Sequence, residues 1–330
     1  MTRGRDVCSV ANEDHGARGR TTDKKSLLKI KSIERMSPIG MKFAHHSKGS
    51  GKSEAKKLSN AEKWVAETCE LGVRGIRKEF VSDIRNYVPE GTQSAWEDEE
   101  NIEKNRYDDV RLLDKTRVIL KDTPDHSDYI HASYVHLDDG MSYICAQGPM
   151  QNTVEAFWIM VLQEDAKVVL QLCQTIEEGK EKCFEYIPTK TNENFGAVKV
   201  TVLDKPSNVL SLKNVKRSKL KAEYKGKANE IWHIFYSGWP DHVAADSPAV
   251  CREVRQLVHK YYGKKPIVAH CSAGIGRTGT FVAIEIAMQR LEKNQTISMS
   301  DISKELRNQR LGAIQTDQVS TFIERHAFDG

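Results

Sequence analysis

The stretch Ile267-Val268-Ala269-His270-Cys271-Ser272-Ala273-Gly274-Ile275-Gly276-Arg277-Thr278-Gly279-Thr280 decides the fold. It opens as a short apolar run, the pattern of a buried strand. It turns through small residues and passes into Phe281-Val282-Ala283-Ile284-Glu285-Ile286-Ala287-Met288, which reads as a helix with an apolar face. Strand, glycine-rich loop and helix start, in that order, make an anion cradle. Backbone N–H groups at a helix N-terminus point at the ligand, and the helix dipole adds partial positive charge. Glycines let the backbone approach closely. This cradle adds a cysteine at its floor and an arginine six residues later. Electropositive surroundings that bind an oxyanion also lower a thiol from its free pKa of about 8.5. Cys271 is therefore expected to act as a thiolate nucleophile. Arg277 can hold two oxygens of an anion with its planar fork. The plain alternative is an inert buried cysteine before a helix. His270 ahead of it and Gly-x-Gly-Arg-Thr behind it weigh against that alternative.

His270 through Thr278 closely resembles the signature of the protein tyrosine phosphatases, His-Cys-(five residues)-Arg-Ser/Thr. Further motifs resemble the same family, in family order, over about residues 60 to 330. Gly72, Gly75, Glu79 and Phe80 resemble its first helix, with a Gly-x-x-Gly and a terminal Glu-Phe. Lys104-Asn105-Arg106-Tyr107-Asp108-Asp109-Val110 resembles its substrate-recognition loop. Ile176 to Cys183 resembles its mobile hairpin, Ser237 to His242 its acid loop, and Leu306 to Thr316 its glutamine loop. The resemblance implies an α/β fold: a single domain with a highly twisted mixed β-sheet flanked by helices. It implies hydrolysis of phosphotyrosine through a phosphocysteine, with phosphotyrosyl proteins as partners and no metal or cofactor. Arg277 and the loop amides would supply the positive field.

The resemblance also implies a role for each site residue. Cys271 is the nucleophile. Ser272, Ala273, Gly274, Ile275, Gly276 and Arg277 bind the phosphoryl oxygens. His270 holds the loop and, with the Thr278 hydroxyl, tunes the thiol. Asp241 protonates the leaving phenolate, with Trp239 packing the hinge of its loop. Gln315 places the hydrolytic water. Tyr107 walls the cleft and sets its depth, and Asp109 accepts substrate N–H bonds. Glu177 orients Arg277, and Lys182 contacts the acid loop. Arg307 either faces a second phosphate site or is, like Arg310, a buried or bridging arginine, and His131 is structural. The chain departs from the family pattern at Asp108, His131, Ser133, Val243, Ala245 and Val319. Two rivals stay open: a phosphotyrosine-binding pseudophosphatase with weak catalysis, and a dual-specificity phosphatase. Turnover of an aryl phosphate tests the first. A comparison of phosphotyrosyl with phosphoseryl peptides tests the second.

Composition bounds the rest. The net charge of +4 is uneven: residues 1–57 hold 14 Lys+Arg against 6 Asp+Glu, an excess of +8 that leaves −4 for the remainder. Residues 1–58 are polar and basic, cannot bury enough apolar surface to offset ordering entropy, and are expected to be a disordered tail. Ser26 to Ile33 could touch a membrane surface or scaffold as a basic amphipathic turn, or lie solvated. Gly49 to Ser53 ends like a nucleotide-binding loop but lacks the preceding strand and first glycine, so ATP binding is rejected. Nucleic acid is not an expected partner. No apolar run approaches the roughly 20 residues that cross a bilayer. The seven scattered cysteines argue for a reducing compartment, and a cytoplasmic location is expected. The remaining 59–330 reads as the catalytic domain. Its expected elements are a helix from near Ala61 to Ile84 and a hairpin over 128–149. A helix over 153–162 and strands at 167–173, 198–203, 209–212 and 231–236 complete them.

Overall fold

The structure is a computed structural model, and it describes residues 58–209, 212, 214–240, 245 and 247–317. The expectations for the tail at 1–57, and for Asp241, Val243 and Val319, fall outside the described residues.

Helix α1, Asn60–Glu79, starts where Ser59 and Glu62 close a capping box: each side chain takes the other's backbone N–H. Gly72 breaks it, with φ +57 and ψ 178 inside the helical run. A turn at Phe80–Ile84 continues it and buries Phe80 and Ile84.

The core is a nine-stranded mixed sheet. Its strands are β1 Arg117–Ile119, β2 Tyr129–His136, β3 Ser142–Ala146 and β4 Val168–Gln171, followed by β7 Asn192–Phe195, β8 Val198–Asn208, β9 Val215–Tyr224, β10 Lys227–Tyr236 and β11 Ile267–His270. The small hairpin β5 Ile176–Glu177 with β6 Lys180–Glu181 stands apart. Spatial order is β1-β2-β3-β11-β4-β10-β9-β8-β7. The four middle strands, β3, β11, β4 and β10, run parallel, and the outer pairs are antiparallel. Parallel strands are buried on both faces and read as apolar runs, and all four residues of β4 and of β11 are buried.

Helix α2, Val154–Gln163, packs on β8, β9 and β10. Helix α3, Pro248–Tyr261, packs on β4 and β10. Helix α4, Arg277–Glu292, packs on β3 and β11. Helix α5, Met299–Arg307, closes against α4 and the end of α1.

One expected strand changes, and two elements are added. Val209 and Leu212 are not a strand but lie in the β8–β9 connection, where Leu212 N–H bonds Val209 O. The strand is β9, whose buried Ser218, Leu220 and Ala222 alternate with Lys219 and Lys221. Two of these three buried residues, Ser218 and Ala222, are small, so the period-two signal is faint in hydrophobicity. Helix α3 is the second addition, with apolar Val254 and Val258 buried one turn apart.

Candidate active site

The loop after β11 leaves the carboxyl end of a central parallel strand, which is where open α/β sheets bind ligands. Its shape depends on one glycine. Gly274 has φ +71, and a Cβ there would collide with the Ala146 carbonyl. With no side chain, the Gly274 N–H reaches Cys271 Sγ at 3.2 Å. Cys271 is buried to 3% exposure at the loop floor. Below it, fully buried His270 is held at both nitrogens: Nε2 pairs with Tyr186 Oη at 2.7 Å, and Nδ1 with Cys271 O at 3.1 Å. Tyr186 Oη also meets Gln171 Oε1 and His233 Nε2, so the network extends into the sheet. Thr278 is buried too, and its hydroxyl has no hydrogen-bond partner among the described residues.

Arg277 is the first residue of α4. Its guanidinium donates to both oxygens of Glu177, at 2.6 and 3.0 Å, and to Trp239 O at 3.0 Å. Such bidentate, charge-assisted pairs fix orientation as well as energy. Glu177 is supplied by the β5–β6 hairpin, whose two-residue turn puts Glu178 at φ +51 and Gly179 at φ +75. Positive φ at both central residues suits the twist of a tight hairpin. Arg106 ties this hairpin to the recognition loop. Its guanidinium donates to Gly148 O, Pro149 O and Glu181 O at 3.2, 2.8 and 3.2 Å. Lys182 follows the hairpin, and its N–H bonds Thr175 O.

Tyr107 stands beside the cradle, with its hydroxyl 2.7 Å from Ser272 Oγ. Asp109 is exposed, and its carboxyl is raised by partial burial and by the neighbouring Asp108 charge. Gln315 lies over the loop: a Cβ on Gly276 would sit 3.2 Å from its Oε1. The preceding Ile314 has φ +59, a left-handed conformation that is strained for a β-branched residue. Ile275 O accepts its N–H at 3.0 Å, and Arg307 Nη2 holds its carbonyl at 3.1 Å. Arg307 therefore does not face a second phosphate site. It is buried, and its donors go to the carbonyls of Ile84, Arg85, Ala313 and Ile314. Trp239 is buried with its ring against Tyr236.

The structure thus gathers Cys271, the amides of the following loop, Arg277, Glu177, Trp239, Tyr107, Gln315 and His270 around one cradle. The protein-tyrosine phosphatase family model matches residues 101–328, more than half of the chain. The chain belongs to this family. Among protein-tyrosine phosphatases it is similar to human tyrosine-protein phosphatase non-receptor type 7, with 33% identity covering 79% of this chain and 72% of that protein. It is similar to human non-receptor type 4 at 36% identity, covering 71% of this chain and 26% of that protein. It is also similar to the Caenorhabditis elegans Lar-like tyrosine-protein phosphatase at 34%, covering 77% of this chain and 12% of that protein. The chain therefore spans only a fraction of the length of several curated relatives it matches. A solved structure from work on the PTPN18 fingerprint on distinct HER2 tyrosine phosphorylation sites superposes with a TM-score of 0.71. That match has 26% identity and covers 82% of this chain and 98% of that one.

Sequence reasoning gave no role to Arg106 or Tyr186 in this phosphatase site. Arg106 lay within the quoted recognition heptad, and a cation next to an aromatic wall was the available signal. Tyr186 had none, because its bond to His270 spans 84 residues.

Proposed function

We propose that this chain removes phosphate from tyrosine side chains of proteins in signalling, by way of a phosphocysteine. The observation that carries the reading is the Gly274 N–H on Cys271 Sγ, beside an Arg277 fork preset by Glu177. A preset cradle lowers the barrier by holding donors where charge develops, with little reorganisation left for the reaction step. Cys271 sulfur attacks phosphorus and a P–S bond forms. The P–O bond to the tyrosyl ring breaks, and Asp241 gives the leaving oxygen its proton. Loop amides and Arg277 hold the equatorial oxygens. Water placed by Gln315 then attacks phosphorus and gives a proton to Asp241. The P–S bond breaks, inorganic phosphate leaves, and the thiolate is restored. Tyr107 supports selection of phosphotyrosine, because a wall beside the cleft keeps a short phosphoseryl side chain from reaching the sulfur.

A cytoplasmic setting fits the scattered cysteines, which are free thiols among the described residues, and no helix there is long and apolar enough to cross a membrane. Contact of the basic tail with an anionic membrane surface or a scaffold belongs to the same reading. The test compares the full chain with Cys271→Ser on an aryl phosphate, a phosphotyrosyl peptide and a phosphoseryl peptide. Expected is turnover of the first two by the native chain only. Turnover by the serine variant overturns the mechanism. Tight phosphotyrosine binding without turnover by the native chain points to the pseudophosphatase.

A further inference from the structure

Behind the cradle lies a second set of bonds that the proposed mechanism does not use. Arg310 is fully buried, and its Nη2 donates to Ala273 O at 2.9 Å while its Nε donates to Gly274 O at 3.1 Å. A trans peptide is planar, so its C=O and the next N–H point in opposite directions. Pinning Ala273 O from behind therefore turns the Gly274 N–H forward, and that N–H is the one on Cys271 Sγ. Pinning Gly274 O likewise turns the Ile275 N–H toward the cradle.

Arg310 is itself aimed. Its Nη2 also donates to His131 Nδ1 at 3.1 Å, and its Nη1 to Ser133 Oγ at 3.3 Å. The other nitrogen of His131, Nε2, pairs with Val110 O at 2.8 Å. A carbonyl only accepts, so Nε2 carries the proton and Nδ1 offers its lone pair to the guanidinium. Burial first, and the Arg310 charge second, push His131 down to about 3, so the imidazole is neutral at neutral pH. Val110 ends the recognition segment that carries Tyr107.

We propose that His131 and Arg310 are positioning residues that set the direction of the Gly274 and Ile275 amides and tie the cradle to the recognition loop from behind. The inference rests on the phosphatase reading of the cradle. The connection at the back, Val110–His131–Arg310–Ala273/Gly274, parallels the one at the front, Tyr107–Ser272. Asparagine has one acceptor and one donor on a shorter stem, so it can make the same two bonds if the backbone gives slightly. Leucine fills a similar volume and can make neither.

The test uses the full chain with His131→Leu and His131→Asn. It reads orthovanadate binding, the rate of Cys271 alkylation by iodoacetate at neutral pH, kcat and KM on an aryl phosphate, and Tm. Losing one oxyanion donor outright costs a hundredfold or more, so misdirecting two should weaken vanadate binding and slow alkylation by about tenfold in His131→Leu. His131→Asn should restore most of both. A folded His131→Leu chain with lower Tm but unchanged vanadate affinity and alkylation overturns the proposal. Should the leucine variant fail to fold, His131→Gln displaces the acceptor while keeping polarity. The same losses at smaller size are then expected, and their absence refutes the proposal. Vanadate binding and alkylation need no turnover. A native chain that binds vanadate yet turns nothing over therefore contradicts the proposed reaction and leaves this inference standing.

Discussion

Gly274 is the position where the cradle tolerates least. Its φ of +71 is one that side-chain-bearing residues rarely adopt, and an added Cβ meets backbone, which cannot swing away. Gly274→Ala should destabilise the chain by more than about 2 kcal/mol in urea denaturation. Glu177 acts differently. Its side chain is 11% exposed and that of Arg277 is 3%, so the pair is largely screened from water. Glu177→Gln keeps the shape but replaces two charge-assisted bonds with at most one neutral acceptor. Arg277 then loses its preset, so kcat/KM on an aryl phosphate should fall by about tenfold, and Tm should fall as well because a buried guanidinium loses its charge partner. The two variants separate a residue that shapes the loop from one that aims it. Both residues stood out in the sequence. Gly274 did so through its motif, and Glu177 only through family likeness, since a carboxylate in a charged turn has no signature of its own.

Between elements, the α3–α4 contact carries a buried charge network. Glu285 on α4 is fully buried and takes both Nε and Nη2 of Arg255, at 3.0 and 3.1 Å, and His259 Nε2 at 2.9 Å. Tyr143 Oη and Gln289 complete its shell. Burial alone would raise its carboxyl, but bonds from His259 and Arg255 and the Arg255 charge outweigh that, and the net shift is downward. A carboxylate lowered in the folded state contributes stability that is complete above its ordinary value of 4.5. That contribution is lost as pH falls through the lower folded value. The native urea midpoint should therefore drop on the acid side of 4.5. Glu285→Gln should lower the midpoint at neutral pH, because it leaves Arg255 without its charge partner, and should flatten the acid-side slope. An unchanged slope in the variant contradicts the assignment. The helix α4 was legible from its apolar run, whereas Glu285 in that run was not legible as a paired charge. Its partners lie 26 and 30 residues away on a helix that the sequence reading passed over.

For the whole molecule, the described core and the gathered site residues fall within 58–317, and the family match covers 101–328. The excess of +8 sits in residues 1–57. Removing residues 1–57 should leave turnover of a small aryl phosphate unchanged within about twofold. It should weaken retention on anionic vesicles, since each lost basic residue near such a surface removes roughly 1 kcal/mol of attraction. Lost turnover contradicts that division of labour, and unchanged vesicle retention contradicts the surface role.

What could be read without coordinates was whatever is local in chain: the strand–loop–helix cradle at 267–280, the apolar runs that became β4 and β10, and the helix that follows the cradle. Each depends on a few neighbouring residues and their allowed backbone angles. Tertiary structure decided what depends on approach between distant segments. It put Arg307 to work on the carbonyls of Ile84 and Arg85, past the end of α1, and of the glutamine loop instead of on a phosphate. It found β9 behind alternating lysines, because burial there is set by α2 and the neighbouring strands. It joined His131, Arg310 and the loop carbonyls, which lie up to 179 residues apart. A buried polar group must find a partner wherever the fold brings one, and the sequence near that group does not say where that will be.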